Sequence, residues 1–292
     1  MSKIAELFGV STSTEQFVRW ASLIKEQQCP YLERTCIKVR KSQPDISIGT
    51  CTVMHGKEKR PVIICPFRLL QRKQIFVDCL HLLTLHEPGN ELHVIPEISV
   101  PGGSVDYLLV SARGGEIKDF VGIELQTLDT TGTVWPERQR FIDGLGIHVA
   151  SDDVDSMKSF GMNWKMTAKT ILVQLHHKIA TFEHIKKYLV LVVQDCLLDY
   201  LCKEFQFDHI GTSKPDDPMH FHSYRMSQNE NGQWSLMLNS RRSTDSEGIS
   251  VCLGLQAEAK VELQSIIQQL QEKVSENTIL EIGGTGLIEY PR

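Results

Sequence analysis

Three β-rich runs follow one another between residues 91 and 128: "ELHVIPEISV" (91–100), "SVDYLLVSA" (104–112) and "DFVGIELQTL" (119–128). The last two are joined by "RGGEIK", whose Gly114 and Gly115 can take the positive φ that a tight hairpin turn demands. This hairpin is the strongest constraint in the chain, because it forces two runs to pair side by side. A hairpin symmetric about residue 115 sets Asp106 opposite Glu124. Directly opposed residues project to one face with Cβ atoms roughly 4.5–5.5 Å apart. Gln126, two places further on, joins that face because strand side chains alternate. Two carboxylates so close among "YLLV" and "VGI" repel each other and lose solvation. A divalent cation would relieve both costs. Without one, at least one carboxyl has a raised pKa, or the acids point to solvent at a sheet edge.

The runs on either side complete an α/β (α+β) sandwich pattern. "LHLLTLHE" (80–87) reads as the end of a helix, punctuated by "PGN". Residues 162–185 have the period of a long helix, with Ile171, Leu172, Leu175 and Ile179 on one stripe. "KYLVLVVQD" (187–195) reads as a strand buried on both faces. Residues 212–250 read as loop-rich, with "KPDDPMH" and "RRSTDSEG" bracketing short strands around "HFHSYRM" and "QWSLML"; residues 256–277 read as an amphipathic helix. At 292 residues and 41% hydrophobic, the chain can bury the core of one large domain or two smaller ones. No run reaches the roughly 18 apolar residues of a membrane span. The amino-terminal "MSKIAELFGVSTSTEQF" lacks a secretion signal, so a cytoplasmic location is expected.

Charge and cysteines set the first third apart. Residues 1–75 hold 13 Lys and Arg against 6 Asp and Glu, a net of +7 in a chain whose total is −5. The clusters "KVRK", "KEKR" and "RLLQRK" fit a nucleic-acid footprint, or scattered solubilising charge. Four of the eight cysteines, Cys29, Cys36, Cys51 and Cys65, fall in the same third with spacing C-x6-C-x14-C-x13-C. Four thiolates suit a closed, structural tetrahedral site for zinc or iron; the alternative is four small buried hydrophobes. Cys79, Cys196, Cys202 and Cys252 lie in apolar surroundings and read as core. His176, His177, His220 and His222 lack nearby acids at ligand spacing and read as surface or core residues.

Taken in order, "CPYLERTCIKVRK", "GTCTV" and "IICPFRLL", followed by "SVDYLL" and "VGIELQTLDTTGTV", resemble the NotI and EagI type of restriction endonucleases over about residues 20–200. That resemblance implies a PD-(D/E)xK nuclease core, a mixed central sheet flanked by helices, in which glutamine replaces the usual lysine, preceded by four cysteines that hold a structural iron. Carried over by position, Asp106, Glu124 and the upstream Glu97 would bind catalytic Mg2+, and Gln126 would orient the attacking water. Gln174 on the long helix would lie beside the site, and Cys29, Cys36, Cys51 and Cys65 would ligate Fe, with Zn the other choice. The division expected is a basic, DNA-contacting, metal-binding subdomain carrying the four cysteines over 1–79 and a nuclease core over 80–292, with target-recognition insertions at about 208–250.

A type II enzyme of this kind implies Mg-dependent hydrolysis of double-stranded DNA at a GC-rich palindrome by a homodimer. It also implies a bacterial cytoplasm and a cognate methyltransferase acting separately. Guanine is read best by forked cations, which makes Arg138, Arg140, Arg225, Arg241 and Arg242 the base-reading candidates, with phosphate contact or plain surface charge as the alternatives. Three rivals stand beside this reading. They are a DNA-binding protein that has lost catalysis, a repair or modification-dependent nuclease of the same fold, and a cytosolic redox metalloprotein.

Overall fold

The computed structural model describes residues 2–17, 19–254, 267–268 and 270–273. Residues 1–255 form one compact unit. Most of the expected helix at 256–277 lies outside the described residues.

The hairpin and its neighbours build one edge of a six-stranded mixed sheet. The chain begins with β1 (Ile4–Leu7), β2 (Val10–Ser11) and α1 (Trp20–Glu26), then two short ribbons. These pair β3 (Gln28–Cys29) with β4 (Arg34–Thr35), and β5 (Val39–Arg40) with β6 (Gln43–Ser47). β7 (Thr50–His55) and β8 (Arg60–Ile63) complete a four-stranded sheet in the order β2-β1-β7-β8. After α2 (Gln74–Val77) come β9 (Glu91–Val100), β10 (Gly103–Arg113) and β11 (Glu116–Gln126), an antiparallel meander. The ribbon of β12 (Thr130–Gly132) and β13 (Phe160–Met162) encloses α3 (Trp135–Gly144) and α4 (Ser151–Val154). The long helix α5 (Trp164–His184) then returns the chain to β14 (Tyr188–Gln194), which pairs parallel to β11. Helix α6 (Asp195–Glu204) crosses to β15 (Met219–Gln228), parallel to β14, and β16 (Trp234–Thr244) closes the order β16-β15-β14-β11-β10-β9. Helix α7 (Ser246–Cys252) follows.

β14 explains the layering. Its Leu189, Leu191 and Val193 join one core cluster with Ile171, Leu175 and Phe182 of α5, while Val190 and Val192 join the other with Leu69, Ile75 and Phe76. A strand buried on both faces needs this continuous apolar run, and each fully buried aliphatic contributes about 1.5–3 kcal/mol. Helix α5 lies close on the sheet because Gly122 has no side chain: a Cβ there would sit 2.6 Å from the Phe182 ring. Segment 1–79 is packed into the same unit, since Ile4, Leu7, Trp20 and Val53 share a cluster with Phe141 and Leu197.

Two expectations about local structure are corrected. Residues 80–87 hold a one-turn helix, Leu80–Leu82, and then a turn at 84–85, where the Leu85 N–H leaves the helical path to donate to Asp119 Oδ2 (2.9 Å). Residues 212–250 are not loop-rich. Parallel pairing with β14 draws 219–228 into a ten-residue strand, and β16 runs for eleven. The polar "STDSEG" proves to be the end of β16 and a helix start, where Asp245 caps α7 by accepting the Gly248 N–H (2.8 Å).

The four-stranded sheet is tied to the central one by a buried ion pair. Arg68 Nε donates to Glu6 Oε2 (2.7 Å), both side chains are almost fully buried, and Thr52 donates to the same oxygen. The same guanidinium reaches Gln71 and the Trp234 carbonyl and lies over the Tyr31 ring. Arg68→Met should therefore cost about 3–5 kcal/mol, because Glu6 is left charged and buried. Urea unfolding measures this, and a loss under about 1 kcal/mol would mean that the pair does not hold the sheets together.

Candidate functional site

The hairpin register is set by two irregularities that cancel. Arg113 pairs with Glu116 around Gly114 and Gly115, both at positive φ, a two-residue turn that by itself would place Asp106 opposite Ile123. Lys118 is then an extra residue in β11, so that Ser111 pairs with Asp119 and Tyr107 with Ile123. Beyond the bulge, Asp106 is brought level with Glu124. The paired ladder stops at Tyr107–Ile123, and Asp106 fills the opening by accepting the Leu125 N–H at its Oδ2 (2.8 Å).

On the other side of β10, Glu97 lies level with Asp106, between the pairs Tyr107–Pro96 and Val105–Ile98. Its φ is +51°, uncommon for a residue with a side chain and costly by about 1 kcal/mol or more. Glu97, Asp106 and Glu124 thus form one row across three adjacent strands, with Glu97 exposed and the other two half-buried. Gln126 is half-buried two residues beyond Glu124, its amide donating to the Thr127 carbonyl (3.0 Å).

Sequence reasoning missed the cation of the site. Lys178 of α5 donates to Glu124 Oε1 at 2.6 Å, with 7% of its side chain exposed and 13% of that of Glu124. The available signal was a lysine on the apolar stripe of Ile171, Leu175 and Phe182. Gln174, one turn earlier, is exposed.

Burial raises the Asp106 carboxyl above its usual range; the Leu125 amide and Lys178 oppose the rise, and Glu97 adds to it. Burial likewise moves Glu124 from 4.5 to about 7; its bond to Lys178 opposes this and Asp106 adds to it. Hard oxygen donors that repel and are desolvated suit a hard cation chemically. Their present partners are the Leu125 amide and Lys178. Among the described residues no group of three or more His, Cys, Asp or Glu side chains is gathered to hold a metal ion.

Cys29, Cys36, Cys51 and Cys65 line one pocket with Phe8, Lys38 and Phe67, around a space of about 10 Å3. That is room for one water-sized body. Burial raises the Cys51 thiol first, and Cys65 raises it further; burial raises Cys65 too, opposed by Lys38, with Cys36 and Cys29 adding to the rise. The Cys51 and Cys65 thiols thus lie near other sulfurs of the pocket, soft donors of the kind a thiophilic ion takes, though among the described residues they are not gathered into a ligand set. Cys79, Cys196 and Cys252 are buried in the two core clusters, and Cys202 packs against one of them. His220 and His222 are fully buried; burial lowers them to about 4 and about 3, so both are neutral at pH 7.

The five arginines have different fates. Arg138 is buried, bonded to the Ile48 and Ser47 carbonyls and to Gln139, and stacked on Trp135, so it is corrected from a base-reading candidate to an interior strut. Arg140 holds the Val154 and Ser156 carbonyls and Glu137. Arg241 reaches Asp78, and Arg242 reaches the Ile210 carbonyl and the Cys202 sulfur. The Arg225 side chain is exposed and makes no hydrogen bond or ion pair among the described residues, while its backbone pairs with Met237 in the β15–β16 ladder.

These features define a mixed α/β protein with a central multi-strand sheet and a row of acids where its edge meeting α5 opens. The family model for restriction endonuclease NotI matches residues 24–234, and the chain belongs to that family. It is a type II restriction endonuclease, and its substrate is DNA. The matched stretch takes in all four cysteines of the pocket, the acid row and α5, and runs past residue 200 into the start of β16. No curated protein matches the chain. None of its helices among the described residues is long and apolar enough to cross a membrane.

Relative to the unfolded chain, folding favours the proton on Glu124, so the stabilisation this proton provides is complete below pH 4.5 and lost as the pH rises through about 7, above which the carboxylate form prevails. Glu124→Gln cannot ionise. In EDTA it should gain on the unaltered chain between about pH 5 and about pH 8, by about 3 kcal/mol at most. Urea unfolding of both proteins at both pH values reads this gain; a difference that does not move with pH would place the Glu124 titration elsewhere.

Proposed function

We propose that this chain hydrolyses double-stranded DNA at a specific GC-rich palindrome, in a Mg-dependent reaction on a PD-(D/E)xK core. The observation that carries the reading is the row of Glu97, Asp106 and Glu124 at the point where β10 and β11 part. A hard divalent cation bound there would supply positive charge at the phosphodiester and make a water easier to deprotonate. Asp106 keeps its second oxygen for such an ion while the first accepts the Leu125 amide. Glu124 offers the second carboxylate, and the exposed Glu97 completes the anionic set from the next strand. Gln126, neutral and on the face of Glu124, would orient the attacking water through its amide.

The basic first 79 residues would contact DNA, kept rigid by iron or zinc at Cys29, Cys36, Cys51 and Cys65. Of the base-reading candidates, the exposed Arg225 has its donors free for DNA, while Arg140, Arg241 and Arg242 would first exchange the partners they now hold. A palindromic site calls for a twofold homodimer with one active site for each strand. A separate methyltransferase would protect the host site.

Two experiments test this. Incubation of plasmid DNA of known sequence with Mg2+ should give fragments with one common end sequence, and Asp106→Asn or Glu124→Ala should slow cutting on the order of a hundredfold or more. Random ends would remove the site-specific reading, and tight duplex binding without any cutting would favour the binding-only protein that Gln126 in place of lysine suggests. Metal analysis should find about one iron or zinc per chain, lost in Cys36→Ser together with several kcal/mol of stability. A metal-free but fully stable wild type would return the cysteines to ordinary core residues.

A further inference from the structure

A lysine inside an apolar helix stripe is costly unless a partner compensates it. Lys178 sits on the stripe of Ile171, Leu175 and Phe182, and its side chain is almost wholly buried. Burying an ammonium costs several kcal/mol, and an apolar residue of similar volume is often as stable or more so than a buried ion pair. Among the described residues its one hydrogen-bond partner is Glu124 Oε1, at 2.6 Å.

The fold makes room for this contact. Gly102 and Gly103, in the turn from β9 to β10, have φ of +94° and +138°. A Cβ on Gly102 would lie 2.1 Å from the His177 carbonyl oxygen, and one on Gly103 would lie 3.2 Å from Lys178 Cε. The turn is therefore pressed against the turn of α5 that carries Lys178, and the lysine stem passes beside Gly103 to reach Glu124. On the strand itself, Gln126 brings no charge to the face that Glu124 occupies.

We propose that Lys178 is the positioning residue that supplies the cationic charge of the acid row from α5, acting through Glu124. This rests on the reading of Glu97, Asp106 and Glu124 as a cation site. Lys178 holds the Glu124 carboxylate in place and competes with a bound cation for it. The ammonium thus weakens cation binding while keeping the carboxylate in the geometry that cutting requires. A residue that only filled space would not move those two properties in opposite directions.

The test uses full-length protein carrying Lys178→Met, which keeps the volume and removes the charge. Ca2+ is the probe, because it takes oxygen ligands and leaves thiolates alone. Calorimetry without DNA should give Ca2+ binding about tenfold tighter than wild type, while cutting at saturating Mg2+ falls about tenfold or more. Lys178→Arg, which keeps the charge, should bind Ca2+ within about threefold of wild type and recover part of the cutting rate. Lys178→Met that binds Ca2+ no more tightly than wild type, or cuts at the wild-type rate, overturns the proposal. If Lys178→Met does not fold, Lys178→Arg decides: a tenfold change in Ca2+ affinity with the charge retained overturns it. Wild type that neither binds Ca2+ nor cuts DNA removes the parent reading and this one together. Wild type that does both, beside an indistinguishable Lys178→Met, removes this one alone.

Discussion

The register of β10 on β11 is the constraint on which the site depends. A strand slipped by one residue turns every side chain to the opposite face, so Asp106 and Glu124 stay on one face only if the turn and the bulge keep their offset. Asp119, beside the bulge, anchors it. This buried carboxylate accepts the Leu85 N–H and its neighbour's Phe120 N–H and pairs with Lys187. A group far from the acid row in chemistry thereby decides where the row stands.

Packing decides the rest. Helix α5 approaches the sheet at Gly122 and at the Gly102–Gly103 turn, where side chains would collide with Phe182 and the His177 carbonyl. That close approach removes water from Asp106 and Glu124, raises both carboxyls, and brings Lys178 to one of them. Desolvation and compensation come from the same helix, so the acids are costly to keep charged and are not left alone. The cysteine pocket follows a similar logic at smaller scale, with thiols raised by burial around a space for one small body.

Much of this was legible from local pattern. The meander, the long helix and the doubly buried strand follow from hydrophobic period, which depends only on neighbours in the chain. A hairpin symmetric about residue 115 gives Asp106 the same mate, whereas the chain arrives there by a shorter turn and a compensating bulge. Residues 212–250 misled because Pro, Asp, Ser and Gly mark turns, and here they mark a helix cap and the ends of strands. What turned those strands into sheet was the presence of β14 beside them.

The sequence by itself determined which residue types lie near each other along the chain: the carboxylates on alternating strand positions, the four cysteines, and the basic first third. Tertiary structure alone decided which charges meet. It buried Arg138 among carbonyls of residues 47 and 48, joined Arg68 to Glu6, and set Lys178 against Glu124 across 54 positions. Periodicity reports whether a side chain faces inward, and the partner waiting there is set by packing between elements distant in the chain, which no local pattern encodes.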